Sequence, residues 1–352
     1  MAPSARDQFV FRMPFVRGAA ILAVMFFHIF PAEPPVEWHS LSAWLVAAAV
    51  RLADFGVPVF VLLSGFYLSL NERNEKPRLL YRRTLKYFVV AYIAYSALYA
   101  IPAAAHGMTA GQLAHGFLTA SIAAHLWFVP LIAELYLLHP ALRRLYRRQP
   151  VLTVVAACLL QVAWPWFRDS GLLSSDVSRV PLWFCAEVAY FVGGYVLLDR
   201  ADSASRLTTR RGGIITAAAI WIGLGVATTF IRVPGTWGSE GLRQLADHQI
   251  VLGLADLTRS IAAFLVVFGV GQRLGAWAPW AAAPISRFGL YSYGVYYLHP
   301  IAISISTRAV TFATGLTKQH VLWYLAVFLV TAPVSLLMTR WLSRYQVARY
   351  LM

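Results

Sequence analysis

Charge is scarce in this chain. Charged residues make up 13% of its 352 residues, where a soluble protein of that size carries about a quarter. A water-exposed surface cannot be clothed with so few, which excludes an ordinary soluble enzyme. Acids are the scarcer sign, 15 Asp and Glu against 30 Lys and Arg. Cysteine is nearly absent: Cys158 and Cys185 both fall in apolar segments and read as small packing residues. The nine histidines stand in no HxxxH arrangement and the cysteines in no CxxC, so no metal site is expected. Neither a glycine-rich phosphate loop nor a GxSxG elbow occurs. No cleavage site follows the first apolar stretch, which predicts a retained first helix rather than a signal peptide. No loop reaches the length of a soluble domain and no internal repeat is visible. Residues 1–352 therefore read as one integral-membrane domain.

What is present is apolar sequence, 59% of the chain, with mean hydropathy +0.61. Runs of membrane-spanning length recur from end to end and predict an all-α polytopic protein of about ten spans. They lie near 13–31, 43–70, 79–103, 122–142, 150–167, 181–198, 213–231, 248–271, 285–306 and 320–342. Helices are required because each span must satisfy its own backbone polar groups. The 12 Trp and 17 Tyr suit interfacial belts as well as buried sites. The net charge of +15 and pI near 10.2 would suit nucleic acid. Its distribution argues against that, because the basic residues lie between apolar spans rather than on one face. Twenty-two of the 30 fall in one alternate set of gaps and six in the other. The positive-inside rule then places both termini in the cytoplasm.

Ionisable groups inside a bilayer are costly and point to function or to pairing. Arg51 with Asp54, and Asp256 with Arg259, stand three residues apart and are expected to pair on their own helices. His28, His125, Glu134, Glu187 and His299 have no such local partner in the sequence. In "RGAAILAVMFFH", Arg17 and His28 are eleven residues apart, about three turns, so they share one helix face roughly 16 Å from one another. A cation then sits at the cytoplasmic mouth and an imidazole further in, where it can take a proton from a hydroxyl near neutral pH. A lone intramembrane histidine serves packing as readily as catalysis, so this stretch alone leaves both open.

Four segments together resemble the membrane-bound acyltransferase family 3, the bacterial O-acyltransferases of cell-surface glycans. The first is the arginine–ten residues–histidine motif, Arg17 and His28. "GVPVFVLLSGFYL" is similar to the family's Phe-rich Ser-Gly segment at Phe60, Ser64 and Gly65. "HLWFVPLIAELYLLHP" resembles its Trp-Phe helix, with Trp127, Glu134 and Tyr136. "YSYGVYYLHP" resembles its late signature, at Ser292, Tyr293, Tyr296 and His299. The cytoplasmic basic motif, two arginines three apart in the family, stands here as Arg83 and Lys86 with Arg82 adjacent. The chain resembles the stand-alone members that carry no soluble esterase-like domain.

The resemblance implies a multi-pass enzyme of the bacterial inner membrane. Its partners would be cytoplasmic acyl-CoA as co-substrate, a cell-surface or lipid-linked glycan and the bilayer, with no nucleic acid and no permanently bound cofactor. Acetyl is the expected acyl group and succinyl the next. His28 becomes the general base, with Arg17, Glu134 and Asp54 as its catalytic company, one of the two carboxylates orienting the imidazole. Arg82, Arg83 and Lys86 are expected on the CoA phosphates. Trp127, Tyr136, Tyr293, Tyr296 and His299 are expected on the substrate. A serine-triad reading has only Ser64 and Ser292 in motif positions. The rival class is a carrier or exporter of glycan or lipid-linked sugar, since a polar path through ten helices suits transport too.

Overall fold

Backbone amides in an apolar phase find no water, and the chain satisfies them within helices. The computed structural model describes residues 5–30, 41–72, 77–169, 183–232, 249–318 and 320–345. Within these, side chains are described except at 5–11, 41–42, 72, 77–85, 168–169, 183 and 232. Every regular element among the described residues is helical. In order these are α1 (Ala5–Ile29), α2 (Leu41–Ala53), α3 (Gly56–Glu72), α4 (Pro77–Ala105), α5 (Ala110–Leu118), α6 (Phe128–Arg148) and α7 (Pro150–Asp169). A 3-10 turn (Trp183–Ala186) precedes α8 (Val188–Asp199), α9 (Ala201–Thr209), α10 (Arg211–Arg232), α11 (Gln249–Trp277), α12 (Pro279–Leu290), α13 (Ser292–Thr314) and α14 (Val321–Leu342).

Among the described residues, seven helical segments are long and apolar enough to cross a membrane: Arg12–Ile29, Ala43–Asn71, Lys86–Ala105, Pro150–Phe167, Arg211–Ile231, Gln249–Trp277 and Val321–Leu342. The chain is a multi-pass membrane protein. The other three expected spans fall on α6, on the 3-10 turn with α8, and on α12 with α13. The boundaries shift for local reasons. The span expected at 122–142 is helical only from Phe128, where Pro130 sits in the first turn and its missing N–H costs no intrahelical bond. It then runs on to Arg148, stopping at Gln149 ahead of Pro150. The span expected as one helix over 43–70 is two, broken at Asp54 and Phe55. Pro58 has no N–H to offer the Asp54 carbonyl, and the break falls one turn before it. The expected 285–306 span is likewise interrupted at Tyr291.

Contacts group the chain into two units. One comprises Met1–Phe60 with Arg200–Leu342, the other Val61–Asp199 with Ser343–Met352. In the first, α1 packs along α12 and also touches α2, α9, α11, α13 and α14. Met13, Ile21 and Met25 of α1 are fully buried. Phe26 stacks on Phe30 with ring centroids 4.0 Å apart, and Phe30 faces Tyr324 of α14 at 5.6 Å. α13 ends at Gly315, whose φ of 67° is the left-handed turn that a side chain would strain. In the second unit α6 lies against α4, α7 and α8. There a Cβ on Gly65 would strike the Phe191 carbonyl of α8, so this glycine lets α3 and α8 meet backbone to backbone.

The break between α2 and α3 leaves carbonyls at the end of α2 inside an apolar span. The first unit caps them with side chains. Arg259 of α11 donates to the Arg51 carbonyl, and the Trp221 indole of α10 donates to the Leu52 carbonyl at 3.1 Å. Arg259 is 1% exposed and also donates to both Asp54 Oδ2 and Asp256 Oδ1, each at 3.1 Å. The expected separate pairs are therefore one network. Arg51 lies 4.0 Å from Asp54, but Arg259 holds both carboxylates. Replacing Arg259 with Met would strand two acids and take a donor from the Arg51 carbonyl. The protein should lose roughly 3 kcal/mol, the low end for a broken buried pair because both carboxylates are partly exposed. Thermal unfolding in detergent measures this, and combining Arg259→Met with Asp54→Asn and Asp256→Asn should recover much of the loss.

Candidate functional site

The first-helix motif and the late signature meet in the first unit. At one end of their contact, Arg17 Nη2 of α1 donates to Ser292 Oγ of α13 at 2.8 Å. Ser292 is 1% exposed. Further along, the His28 and His299 rings lie with centroids 5.0 Å apart, tilted by 60°. α1 and α13 thus run in the same direction here. Eleven residues on α1 rise roughly 16 Å, whereas seven on α13 rise roughly 10 Å. The long arginine side chain takes up much of the difference.

Both histidines are held by their own helices. His28 Nδ1 donates to the Val24 carbonyl at 2.8 Å, and His299 Nδ1 donates to the Tyr296 carbonyl at 2.6 Å. A carbonyl only accepts, so Nδ1 carries the hydrogen and Nε2 is the basic nitrogen in each ring. The bond that orients His28 therefore comes from Val24. Asp54, expected as one of two carboxylates for that task, is engaged with Arg259 instead. His28 is exposed and His299 is fully buried. Beside them on α13, the Tyr296 ring lies 6.1 Å from that of His299, and the hydroxyls of Tyr293 and Tyr297 are 3.2 Å apart.

Two backbones approach closely where this meeting is set. A Cβ on Gly18, next to Arg17, would overlap the Ile285 carbonyl of α12. A Cβ on Gly289, three residues before Ser292, would overlap the Pro14 carbonyl of α1. Each glycine also faces the other's backbone amide. This reciprocal contact delivers the first turn of α13 to Arg17.

The remaining expected residues lie in the second unit. Glu134 Oε2 accepts the Phe184 amide at 2.9 Å. Tyr136 is buried edge-on to Phe88 at 5.3 Å, and Trp127 stands edge-on to Phe128 at 6.3 Å. Ser64 is partly buried and Lys86 exposed. The side chains of Arg82 and Arg83 lie outside the described residues. A cluster not anticipated as a site also appears here. Arg143 is 3% exposed, with its guanidinium over the Tyr146 and Tyr195 rings at 5.4 and 5.2 Å, and His139 Nδ1 is bonded to the Tyr195 hydroxyl at 2.7 Å. In sequence Arg143 reads as one of several cytoplasmic anchors. The only hint is its spacing, one turn after His139.

Residues 13–340 match the acyltransferase domain family, across both units. The chain belongs to acyltransferase family 3. Neither a curated protein nor a solved structure gives a match.

For an acyltransferase, the pair offers a candidate nitrogen base, oriented by a carbonyl and, at His28, exposed. Among the described residues no three His, Cys, Asp or Glu side chains gather as a metal site would require. The arrangement rests on the glycine contact. Gly289→Ala should push α12 from α1, cost roughly 1–3 kcal/mol as an overpacked core does, and slow acyl transfer by drawing Ser292 from Arg17. Gly223→Ala on α10, where an added Cβ meets nothing within 4 Å, should be neutral or slightly stabilising. Melting temperatures and turnover of the two variants side by side check both expectations.

Proposed function

We propose that this acyltransferase moves an acyl group from cytoplasmic acyl-CoA to a hydroxyl of a cell-surface or lipid-linked glycan in a bacterial inner membrane. The observation that carries the reading is His28. It is exposed, its Nδ1 hydrogen is engaged by Val24, and its Nε2 is left as the base. The acceptor hydroxyl gives its proton to Nε2 as its oxygen attacks the thioester carbonyl carbon. The tetrahedral intermediate collapses, the C–S bond breaks, and the same proton passes to the leaving CoA thiolate. Direct transfer is the simplest sequence; ping-pong kinetics would indicate an acyl-histidine intermediate instead. Tyr293 and Tyr296 are candidates to stabilise the oxyanion. Acetyl is the first acyl group to test and succinyl the second.

The topology that goes with this reading has ten spans and both termini in the cytoplasm. The basic stretch from Arg73 to Lys86 then faces the donor, and Arg82, Arg83 and Lys86 hold the CoA phosphates. Arg suits phosphate through its bidentate fork. Arg17 places a further cation at the cytoplasmic end of α1, steadied by Ser292.

The deciding measurement is consumption of acetyl-CoA by the purified protein given an acceptor glycan. Release of free CoA with acylated glycan supports the enzyme, whereas glycan movement across vesicles without CoA release would establish a carrier. His28→Ala should lower turnover by roughly 10²–10⁴-fold while the protein still inserts and melts normally. A well-folded His28→Ala protein with near-normal turnover would sink the mechanism. Arg83→Gln should raise the KM for acetyl-CoA more than it lowers kcat, the pattern of lost ground-state binding, with the acceptor KM little changed. Unchanged acetyl-CoA KM in Arg82→Gln, Arg83→Gln and the double variant would move the donor site, with Arg143 to Arg148 next to test.

A further inference from the structure

His28 does not stand by itself. The His299 ring lies 5.0 Å away, centroid to centroid, close enough for the ring edges to meet. Both rings are locked in the same tautomer by backbone carbonyls, Val24 for one and Tyr296 for the other. Two neutral imidazoles of that tautomer have no N–H to give one another, because both hydrogens are already engaged. One added proton changes this. The protonated ring becomes a charge-assisted donor and its neighbour's Nε2 an acceptor. A second proton would set two cations against each other at short range. The pair is therefore suited to hold one proton.

The two members are also unequal. His28 is exposed, so an acceptor hydroxyl can reach it, whereas His299 is 0% exposed and sits covered behind it. The nearby charges on the same unit are otherwise occupied: Arg17 is bonded to Ser292, and Asp54 and Asp256 are on Arg259. From this geometry we infer that His299 is a positioning residue that stabilises the His28 imidazolium from the side, while the Val24 carbonyl holds its Nδ1. The inference rests on the reading of His28 as general base. In the reaction, the acceptor O–H bond breaks and its proton joins His28 Nε2. While the new C–O bond forms, the neutral His299 ring beside it stabilises the resulting cation. When the C–S bond breaks, His28 returns the proton to the CoA thiolate. His299 is neutral at both ends of the cycle, so no further reactant is needed.

The test compares His299→Gln, whose amide oxygen can still accept, with His299→Phe, which keeps a ring and cannot. Each is assayed for acetyl-CoA turnover in the purified full chain, with melting temperature as a folding control. His299→Phe should lower kcat on the order of 10²-fold while both KM values stay within about threefold, and His299→Gln should recover about tenfold of that loss. Should the Phe variant unfold, His299→Met takes its place as the flexible side chain without an acceptor oxygen. Adding His299→Phe to His28→Ala should slow the enzyme no further, because residues acting as a unit are not additive. A raised acceptor KM with unchanged kcat would make His299 a substrate contact and overturn the proposal. Equal rates for the Gln and Phe variants, or a fully additive double variant, would overturn it as well. These outcomes leave the base reading intact if His28→Ala is inactive. An active, folded His28→Ala protein overturns that reading itself.

Discussion

Two glycines on different helices, Gly18 and Gly289, stand so close that a single added carbon on either would collide with the other helix's backbone. Within membranes helices gain little from burying apolar surface against one another, since lipid is as apolar as leucine. Association depends instead on close van der Waals contact, which small residues permit. Here that contact fixes α12 on α1, and α12 ends immediately before Ser292. Ser292 then meets Arg17, and two turns later His299 meets His28. The register of the catalytic candidates on α13 is thus inherited from a backbone contact that involves none of them.

The charged residues of the first unit solve a different problem. A helix interrupted at Asp54 needs partners for its last carbonyls, and at that depth water does not supply them. Arg259 and Trp221 do so from α11 and α10. An arginine brought in for its donors must itself be neutralised, and Asp54 and Asp256 share that task. The network has a structural logic: each member answers a need created by another, and the need begins at the break between α2 and α3.

Much of this was legible in the chain itself, and the exceptions follow a rule. Apolar length found the segments, because hydropathy is summed over many residues and tolerates local error. The spacing of Arg17 and His28 predicted one face, because helical geometry needs no tertiary information. Breaks were harder, since they turn on one missing N–H or one residue such as Tyr291 in a bridge conformation, φ −104° and ψ 11°. Partners across helices were hardest. The i,i+3 spacing put Arg259 with Asp256 correctly, but Asp54 is over 200 positions away in sequence, and only packing brings it there. The Val24 carbonyl was invisible for another reason: every residue has one, so sequence gives no cause to single it out.

An imidazole read as an intramembrane base must still be oriented. A carboxylate behind an imidazole is the familiar solution in water-facing sites, but within a bilayer it adds a second charge to bury. A carbonyl one turn back on the same helix costs nothing extra, and it fixes the tautomer equally well. The bond does not by itself mark a catalytic histidine. Exposed His106 makes the same one to the Pro102 carbonyl, at 2.7 Å, and no motif accompanies it. What sets His28 apart is that a second helix, positioned by Gly18 and Gly289, brings another imidazole of the same tautomer to its side. If His28 is the base, a neutral imidazole beside it would stabilise the cation in an apolar setting without a standing charge when the site is at rest.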